Sequence, residues 1–198
     1  MITAIVTYYN KPIEQLKRCI DSLNEFSIPW ILVDDCSDSR PNYPHIRTSE
    51  NLGPYGAFAV GLELVTTPWV LRIDADDYLT DKPVFNDSFD CWTNCFNHKI
   101  KITPHEFRGY SYAGLTVAAI KTDICRKVWL TDMRQFGDIV IFHRLLLKYK
   151  VAKYAKDCYH YVPKQPGSIT ATPWNIRKRW INIAKERMLK EAKNGEWN

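Results

Sequence analysis

Two apolar runs in this chain each stop abruptly at a cluster of carboxylates, and no other feature limits the possible folds as tightly. Trp30 to Val33 runs into Asp34-Asp35-Cys36-Ser37-Asp38, and Trp69 to Ile73 runs into Asp74-Ala75-Asp76-Asp77. Short apolar runs rich in β-branched residues read as strands buried on both faces. The four carboxylates between Asp74 and Asp81 repel one another unless a cation or a hydrogen-bond donor offsets them.

The surrounding segments supply a frame for these strand ends. Ile2 to Thr7 reads as a first buried strand. Asn10 is expected to cap the following helix, Pro12 suits its first turn, and Leu16, Cys19, Ile20 and Leu23 recur at helical spacing. Ile46 to Thr48 reads as a brief strand. Gly53 to Leu64 reads as a helix with Ala57, Val60 and Leu64 on its apolar face. Strand and helix in alternation predict an α/β domain with a mostly parallel central sheet and helices on both faces. Ligands of such sheets gather beyond the carboxyl ends of the strands, where both acidic clusters fall.

The second half is less regular. It is read as a helix over Val84 to Phe96, a loop or β excursion over Lys99 to Tyr112, and a strand over Thr116 to Ile120. Thr122 is expected to cap a helix reaching Trp129, and a helix over Ile139 to Leu147 is entered at Gly137-Asp138. Val151 to Tyr161 reads as a strand. Trp174 to Ala192 reads as a final helix with Ile176, Trp180, Ile183 and Ala184 on its inner stripe. At 198 residues a single domain is expected, with a first half over 1–81, a second over 82–172 and a C-terminal helix over 173–198.

Charge is unevenly placed. From Trp174 onward seven basic residues face three acidic ones, so this tail carries +4 of the net +5. Such a tail attracts phosphates, anionic polymers or a membrane surface, or else forms a solvated helix face. Met1 leads directly into Ile2-Thr3-Ala4-Ile5-Val6 without a basic leader, and no run approaches the roughly 18 apolar residues of a membrane span. Six scattered cysteines read as reduced thiols in a cytoplasmic setting. Cys91, Cys95, Cys158 and His160 do not repeat a recognised zinc spacing, and Cys91 and Cys95 also suit one helical face.

Oxygen-rich clusters suit hard divalent cations, which often take one or two carboxylates plus substrate phosphates. A cation so held can neutralise charge developing on a diphosphate leaving group. Asp34 and Asp35 can accept hydrogen bonds from ring N–H or ribose hydroxyl groups. An Asp-rich turn that merely caps the next element is the alternative for either cluster taken alone.

Ile5-Val6-Thr7-Tyr8-Tyr9-Asn10, Val33-Asp34-Asp35-Cys36-Ser37, Asn51-Leu52-Gly53 and Ile73-Asp74-Ala75-Asp76-Asp77 together resemble family-2 glycosyltransferases of the GT-A (Rossmann-like) fold. Gly137-Asp138 before His143-Arg144 looks like that family's acidic pair, and Tyr161 with Gly167-Ser168-Ile169-Thr170 like its closing segment. The resemblance implies transfer of a hexose or pentose from a nucleoside-diphosphate sugar, UDP being favoured, with inversion and with Mn²⁺ or Mg²⁺. It implies that Thr7, Tyr9 and Asp35 line the base pocket, that Asp34 supports the turn, and that Asn51 and Gly53 belong to the donor site. Asp74 would contact the ribose, and Asp76, Asp77 and His160 would serve the metal. Asp138 would be the general base on the acceptor hydroxyl, whereas without the family pattern it reads as a cap of the Ile139 helix.

Two departures stand out. Gly56-Ala57-Phe58-Ala59-Val60 replaces the Ala-Arg-Asn that often follows the Asn-x-Gly turn, leaving Lys11 or Arg72 as the basic residue for the diphosphate. Gly137 stands where the family usually has Glu. The basic last helix points to an anionic acceptor such as hydroxymethylated DNA, with a saccharide otherwise. The competing reading is a non-catalytic nucleotide- or nucleic-acid-binding module, which leaves the acidic strand ends unexplained. A dinucleotide-dependent oxidoreductase fits poorly, because Thr7-Tyr8-Tyr9-Asn10-Lys11 stands where Gly-x-Gly-x-x-Gly would follow the first strand.

Overall fold

The computed structural model describes residues 1–93, 115, 117–160 and 172–194. In chain order the elements are β1 (Ile2–Tyr8), α1 (Ile13–Glu25), β2 (Trp30–Asp34), β3 (Ile46–Arg47), α2 (Gly53–Glu63), β4 (Trp69–Asp74) and β5 (Tyr78–Leu79). They continue with β6 (Cys91–Thr93), β7 (Ala118–Lys121), α3 (Thr122–Val128), α4 (Gly137–Lys148), β8 (Val151–Lys153), β9 (Tyr159–His160) and α5 (Trp174–Asn194).

The central sheet has the strand order β3-β2-β1-β4-β7-β6-β8, and β5 pairs with β9 in a small second sheet. β1 runs parallel to both β2 and β4, and only β7 is reversed within the central sheet. The mostly parallel α/β architecture read from the sequence is therefore the observed one.

Period-two alternation along the strands feeds two cores. Ala4 and Val6 of β1 and Leu71 and Ile73 of β4 meet Leu16, Cys19, Ile20 and Leu23 of α1 on one face. Ile5 and Val70 point to the other face, where α2, α3, α4 and α5 pack. The α1 stripe at positions three and four apart is fully buried, and each such Leu or Ile contributes about 1.5–3 kcal/mol. Among the described residues no helix is long and apolar enough to cross a membrane.

Several local expectations are corrected. Asn10 does not cap α1: Pro12 precedes the first turn, and Asn10 sits in left-handed backbone at φ 47°. Asn tolerates that conformation, and here its side chain ties to Asp38, accepting that residue's N–H at 2.8 Å and donating to its carboxylate at 3.0 Å. Thr122 opens α3 as a helical residue, its hydroxyl donating to the Thr67 carbonyl at 2.7 Å, while Lys121 holds the cap position.

Residues 84–90 are not helical, and Cys91–Thr93 is strand β6, held between β7 and β8. The pairing overrides an apolar spacing that is coincidental, since Val84 is exposed. On α2 the buried face is Tyr55, Ala57, Phe58 and Leu62, while Leu64 lies past the helix end in solvent. Val151 to Tyr161 divides into β8 and β9, which belong to different sheets.

The inner stripe of α5 is Ile181, Ala184, Met188 and Glu191, rotated from the expected one; Ile176 is exposed, and Trp180 and Ile183 only flank the core. An acidic residue on the buried face disguises the stripe. Cys95, Lys99 to Tyr112, Thr116, Tyr161, the Gly167-Ser168-Ile169-Thr170 segment and Trp197 lie outside the described residues.

Candidate functional site

The parallel register brings three strand ends to one place. Thr7 is opposite Val33 on one side and Asp74 on the other, and Tyr8 is opposite Asp34. Thr7 is half-buried at this edge, and Tyr9, one residue beyond β1, is exposed. The Tyr8 hydroxyl donates to the Lys11 carbonyl at 2.8 Å and so fixes the loop that carries Tyr9 and Lys11.

The first acidic pair serves the protein itself. Asp34 is fully buried; one carboxylate oxygen accepts the Ser37 N–H at 3.0 Å and the other an Arg47 N–H. It closes the turn after β2. Asp35 is also buried and accepts from the N–H groups of Leu52 at 2.7 Å and Gly53 at 2.8 Å, and from the Thr48 hydroxyl at 3.2 Å. It thereby pins the start of α2 to the end of β2. A carboxylate has about four acceptor sites, so these three bonds leave room for one more donor.

The Asn51-Leu52-Gly53 turn has a second partner. Arg134 donates to the Asn51 side-chain oxygen at 2.5 Å and to its backbone carbonyl at 2.8 Å. Gly53 has φ +78°, and a Cβ there would stand 3.0 Å from the Arg134 side chain. The position needs glycine for backbone and space alike. Sequence reasoning does not find Arg134. The only hint is the missing basic residue after this turn, and nothing local points 83 positions onward.

At the end of β4 the chain turns at once, the Asp77 N–H donating to the Asp74 carbonyl at 3.0 Å. Asp76 receives the Lys11 ammonium at 2.6 Å, both side chains being about one-fifth exposed. Asp74 is bonded by the buried Arg72 guanidinium at 2.7 Å, and Asp77 is buried. The β5–β9 pairing sets His160 opposite Tyr78, the residue after Asp77, with the two rings stacked at 4.9 Å. Among the described residues no three His, Cys, Asp or Glu side chains form a ready cation cage. The donor set at Asp74, Asp76 and Asp77 is nonetheless all oxygen, and Asp76 already holds a positive charge in the Lys11 ammonium.

Asp138 stands in the first turn of α4, half-buried, directly after Gly137. The Tyr55 hydroxyl donates to its carboxylate at 3.1 Å and accepts its backbone N–H at 3.0 Å. Burial pushes the Asp138 carboxyl above the usual range, and the Asp74 charge adds to the rise. The Arg72 charge, the Tyr55 hydroxyl and the Ile139 N–H work against it. For Arg72, burial works against the charge, but Asp74, Tyr55, Asp138 and Asp77 outweigh it and raise the pKa. Arg72 is thus bonded to the acidic turn of β4, and its charge also favours the ionised form of Asp138. Tyr55, like Arg134, has no functional signature in the sequence, where it reads only as part of a helix.

A recess of about 640 Å³ lined by Pro68, Trp69, Lys121, Thr122 and Arg126 opens at the opposite edge of the sheet. It lies away from the acidic clusters that end β2 and β4, at the amino end of β4, whereas ligands of such sheets gather at the carboxyl ends.

Residues 3–85 match the family model "Glycosyl transferase family 2". No curated protein sequence matches the chain significantly. In fold the chain is similar to S. aureus TarS in complex with UDP-GlcNAc, with a TM-score of 0.66 at 16% identity over 96% of this chain and 70% of that one. A mannosyltransferase from Pyrobaculum calidifontis in complex with GDP-Man and Mn²⁺ superposes with a TM-score of 0.68 at 17% identity, covering 100% of this chain and 65% of that one. At this identity the two structures establish the GT-A fold and nothing finer.

Proposed function

We propose, from the match of residues 3–85 to the glycosyl transferase family 2 model and from the GT-A fold, that the protein transfers a sugar from a nucleoside-diphosphate sugar to an acceptor hydroxyl. UDP is the favoured carrier, the anomeric configuration inverts, and Mn²⁺ or Mg²⁺ assists. The observation that carries this reading is the parallel register that sets Asp34 beside Tyr8 and Asp74 beside Thr7, so that the acidic ends of β2 and β4 flank the end of β1 at one sheet edge.

In this reading Thr7 and Tyr9 flank the nucleotide base, and Asp35 meets it with the acceptor site left by its three bonds. Asp34 holds the turn, and Asn51 and Gly53 wall the donor pocket with Arg134 behind them. Asp74 takes the ribose hydroxyls. Asp76, supported by Asp77 and with His160 alongside, would hold the divalent cation, which supplies positive charge to the diphosphate. Lys11, which pairs with Asp76 in this structure, would supply an ammonium to the diphosphate.

Asp138 accepts the proton of the acceptor hydroxyl while the oxygen attacks the anomeric carbon. The bond to the diphosphate breaks on the opposite face, and the nucleoside diphosphate departs with the bonding pair. Such a base contributes about 10²–10⁴-fold when it lies within hydrogen-bond reach. The acceptor is anionic, such as hydroxymethylated DNA, if the exposed basic face of α5 engages it, and is otherwise a saccharide.

The test is a nucleotide panel with Mn²⁺, read by thermal shift and by nucleotide release. UDP with Mn²⁺ is expected to stabilise the wild type. Asp76→Ala should keep its own unfolding temperature within a few degrees while losing the Mn²⁺-dependent part of the stabilisation and the turnover. Metal-dependent turnover that survives Asp76→Ala refutes the metal assignment.

A further inference from the structure

We infer that Tyr55 is the positioning residue for Asp138, and that Gly137 is glycine because the Tyr55 ring occupies the space beside it. The inference rests on the reading of Asp138 as the base and adds a residue from α2 to its machinery.

Three observations carry it. The Tyr55 hydroxyl makes two bonds to the same residue, donating to the carboxylate at 3.1 Å and accepting the backbone N–H at 3.0 Å. One oxygen therefore fixes both the carboxylate and the first turn of the helix that bears it. A Cβ at Gly137 would lie 2.9 Å from Cε2 and Cζ of the Tyr55 ring and 3.0 Å from Cε1, a separation that side chains do not tolerate. The ring cannot retreat easily. Tyr55 is buried, Trp129 packs beside it at 6.2 Å between centroids, and the Trp129 indole N–H donates to the Tyr55 carbonyl at 2.9 Å. Trp129 is itself stacked on Phe58 at 3.9 Å. The departure from the acidic pair at position 137 follows from this packing.

The arrangement has a chemical consequence. A buried phenol beside a carboxylate keeps its proton, since burial and then the Asp138 charge raise its pKa well above the usual value. It is a permanent donor to the ionised form of Asp138. The titratable groups facing Asp138 are Tyr55 from α2 and Arg72 and Asp74 from β4. Tyr55 and Arg72 favour ionisation, and burial and Asp74 oppose it. Tyr55 thus offsets part of the effect of burial, favouring the form that can accept a proton, while fixing one of its oxygens, Oδ1.

The experiment is the pH dependence of kcat and KM for the wild type, Tyr55→Phe, Gly137→Ala, Asp138→Asn and the double variant Tyr55→Phe/Asp138→Asn. UDP affinity with Mn²⁺ is measured by calorimetry and the fold by thermal unfolding. Because the base works only when ionised, loss of the phenol raises the pH at which it begins to work. Tyr55→Phe is expected to keep UDP affinity, to lower kcat about tenfold, and to move the acid limb of the profile up by about one pH unit, the change expected when an ionised carboxylate loses one donor.

Gly137→Ala, which presses a methyl group against a ring that cannot retreat easily, should lower both kcat and the unfolding temperature, whereas Tyr55→Phe keeps the ring and isolates the hydroxyl. In the Asp138→Asn background Tyr55→Phe should cost nothing further. Wild-type kcat and an unshifted acid limb in Tyr55→Phe, with Asp138→Asn inactive, overturn the positioning role and leave the base reading standing. Full turnover in Asp138→Asn removes the base reading and this inference with it.

Discussion

At the scale of single residues the site is dominated by groups that satisfy the protein before they meet a ligand. Asp35 spends its bonds on Thr48, Leu52 and Gly53, and Gly53 is held in left-handed backbone against Arg134. Gly53→Ala therefore meets two penalties, about 1–2 kcal/mol for the backbone conformation and the displacement of the Arg134 side chain. The expected outcome is a lower denaturant midpoint together with weaker UDP affinity, measured by urea unfolding and calorimetry; an unchanged midpoint would show that the turn adapts freely. The Asn51-Leu52-Gly53 motif is legible in the sequence because its residues are adjacent. Its guanidinium partner is not, because a long side chain arriving from another loop leaves no periodicity in the chain.

At the scale of elements, the seating of α5 on α4 depends on a buried ion pair. Arg144 is almost wholly buried and meets Glu191 at 2.6 Å, while its second branch donates to the Val128 carbonyl at 2.8 Å. Arg187 adds a bond to Glu191 at 3.2 Å and reaches Asp132 at 2.6 Å. Removing one partner of a buried pair leaves a charge without compensation and costs about 3–5 kcal/mol, whereas an apolar pair of similar volume can be neutral. Glu191→Ala should accordingly lose much of the stability, and Arg144→Met/Glu191→Leu should recover most of it in the same unfolding assay. Equal stability of Glu191→Ala and the wild type would mean that α5 is held by its apolar contacts alone. This pair also explains why the buried stripe of α5 differs from the expected one: counting hydrophobic residues places Glu191 outside, and its guanidinium partner pulls it in. The strand that stands in place of a helix after Val84 has a related cause. The three residues of β6 take their conformation from β7 and β8, neither of which is near in sequence.

At the scale of the molecule, charge is divided between a carboxylate-rich sheet edge and a cationic helix. Lys178, Arg179 and Lys190 lie exposed along α5, while Arg177 is half-buried with its guanidinium over the Phe136 ring at 5.8 Å. Reversal of Lys178, Arg179 and Lys190 to Glu should therefore spare the fold and weaken binding of hydroxymethylated duplex DNA. The salt dependence should flatten by roughly one unit of log–log slope for each phosphate that the helix ceases to neutralise. An unaltered salt response would make this face a solvated surface and favour a neutral saccharide acceptor.

The alternation of strands and helices, and with it the surfacing of both acidic clusters at one sheet edge, was determined by the sequence alone, because period-two and period-3.6 patterns and turn chemistry are local. The tertiary structure alone decided which groups meet. Tyr55 and Asp138, Arg134 and Asn51, Lys11 and Asp76, and Arg144 and Glu191 are separated by 83, 83, 65 and 47 positions. Their pairing follows from strand order and helix seating, which emerge only when the whole chain buries its two cores.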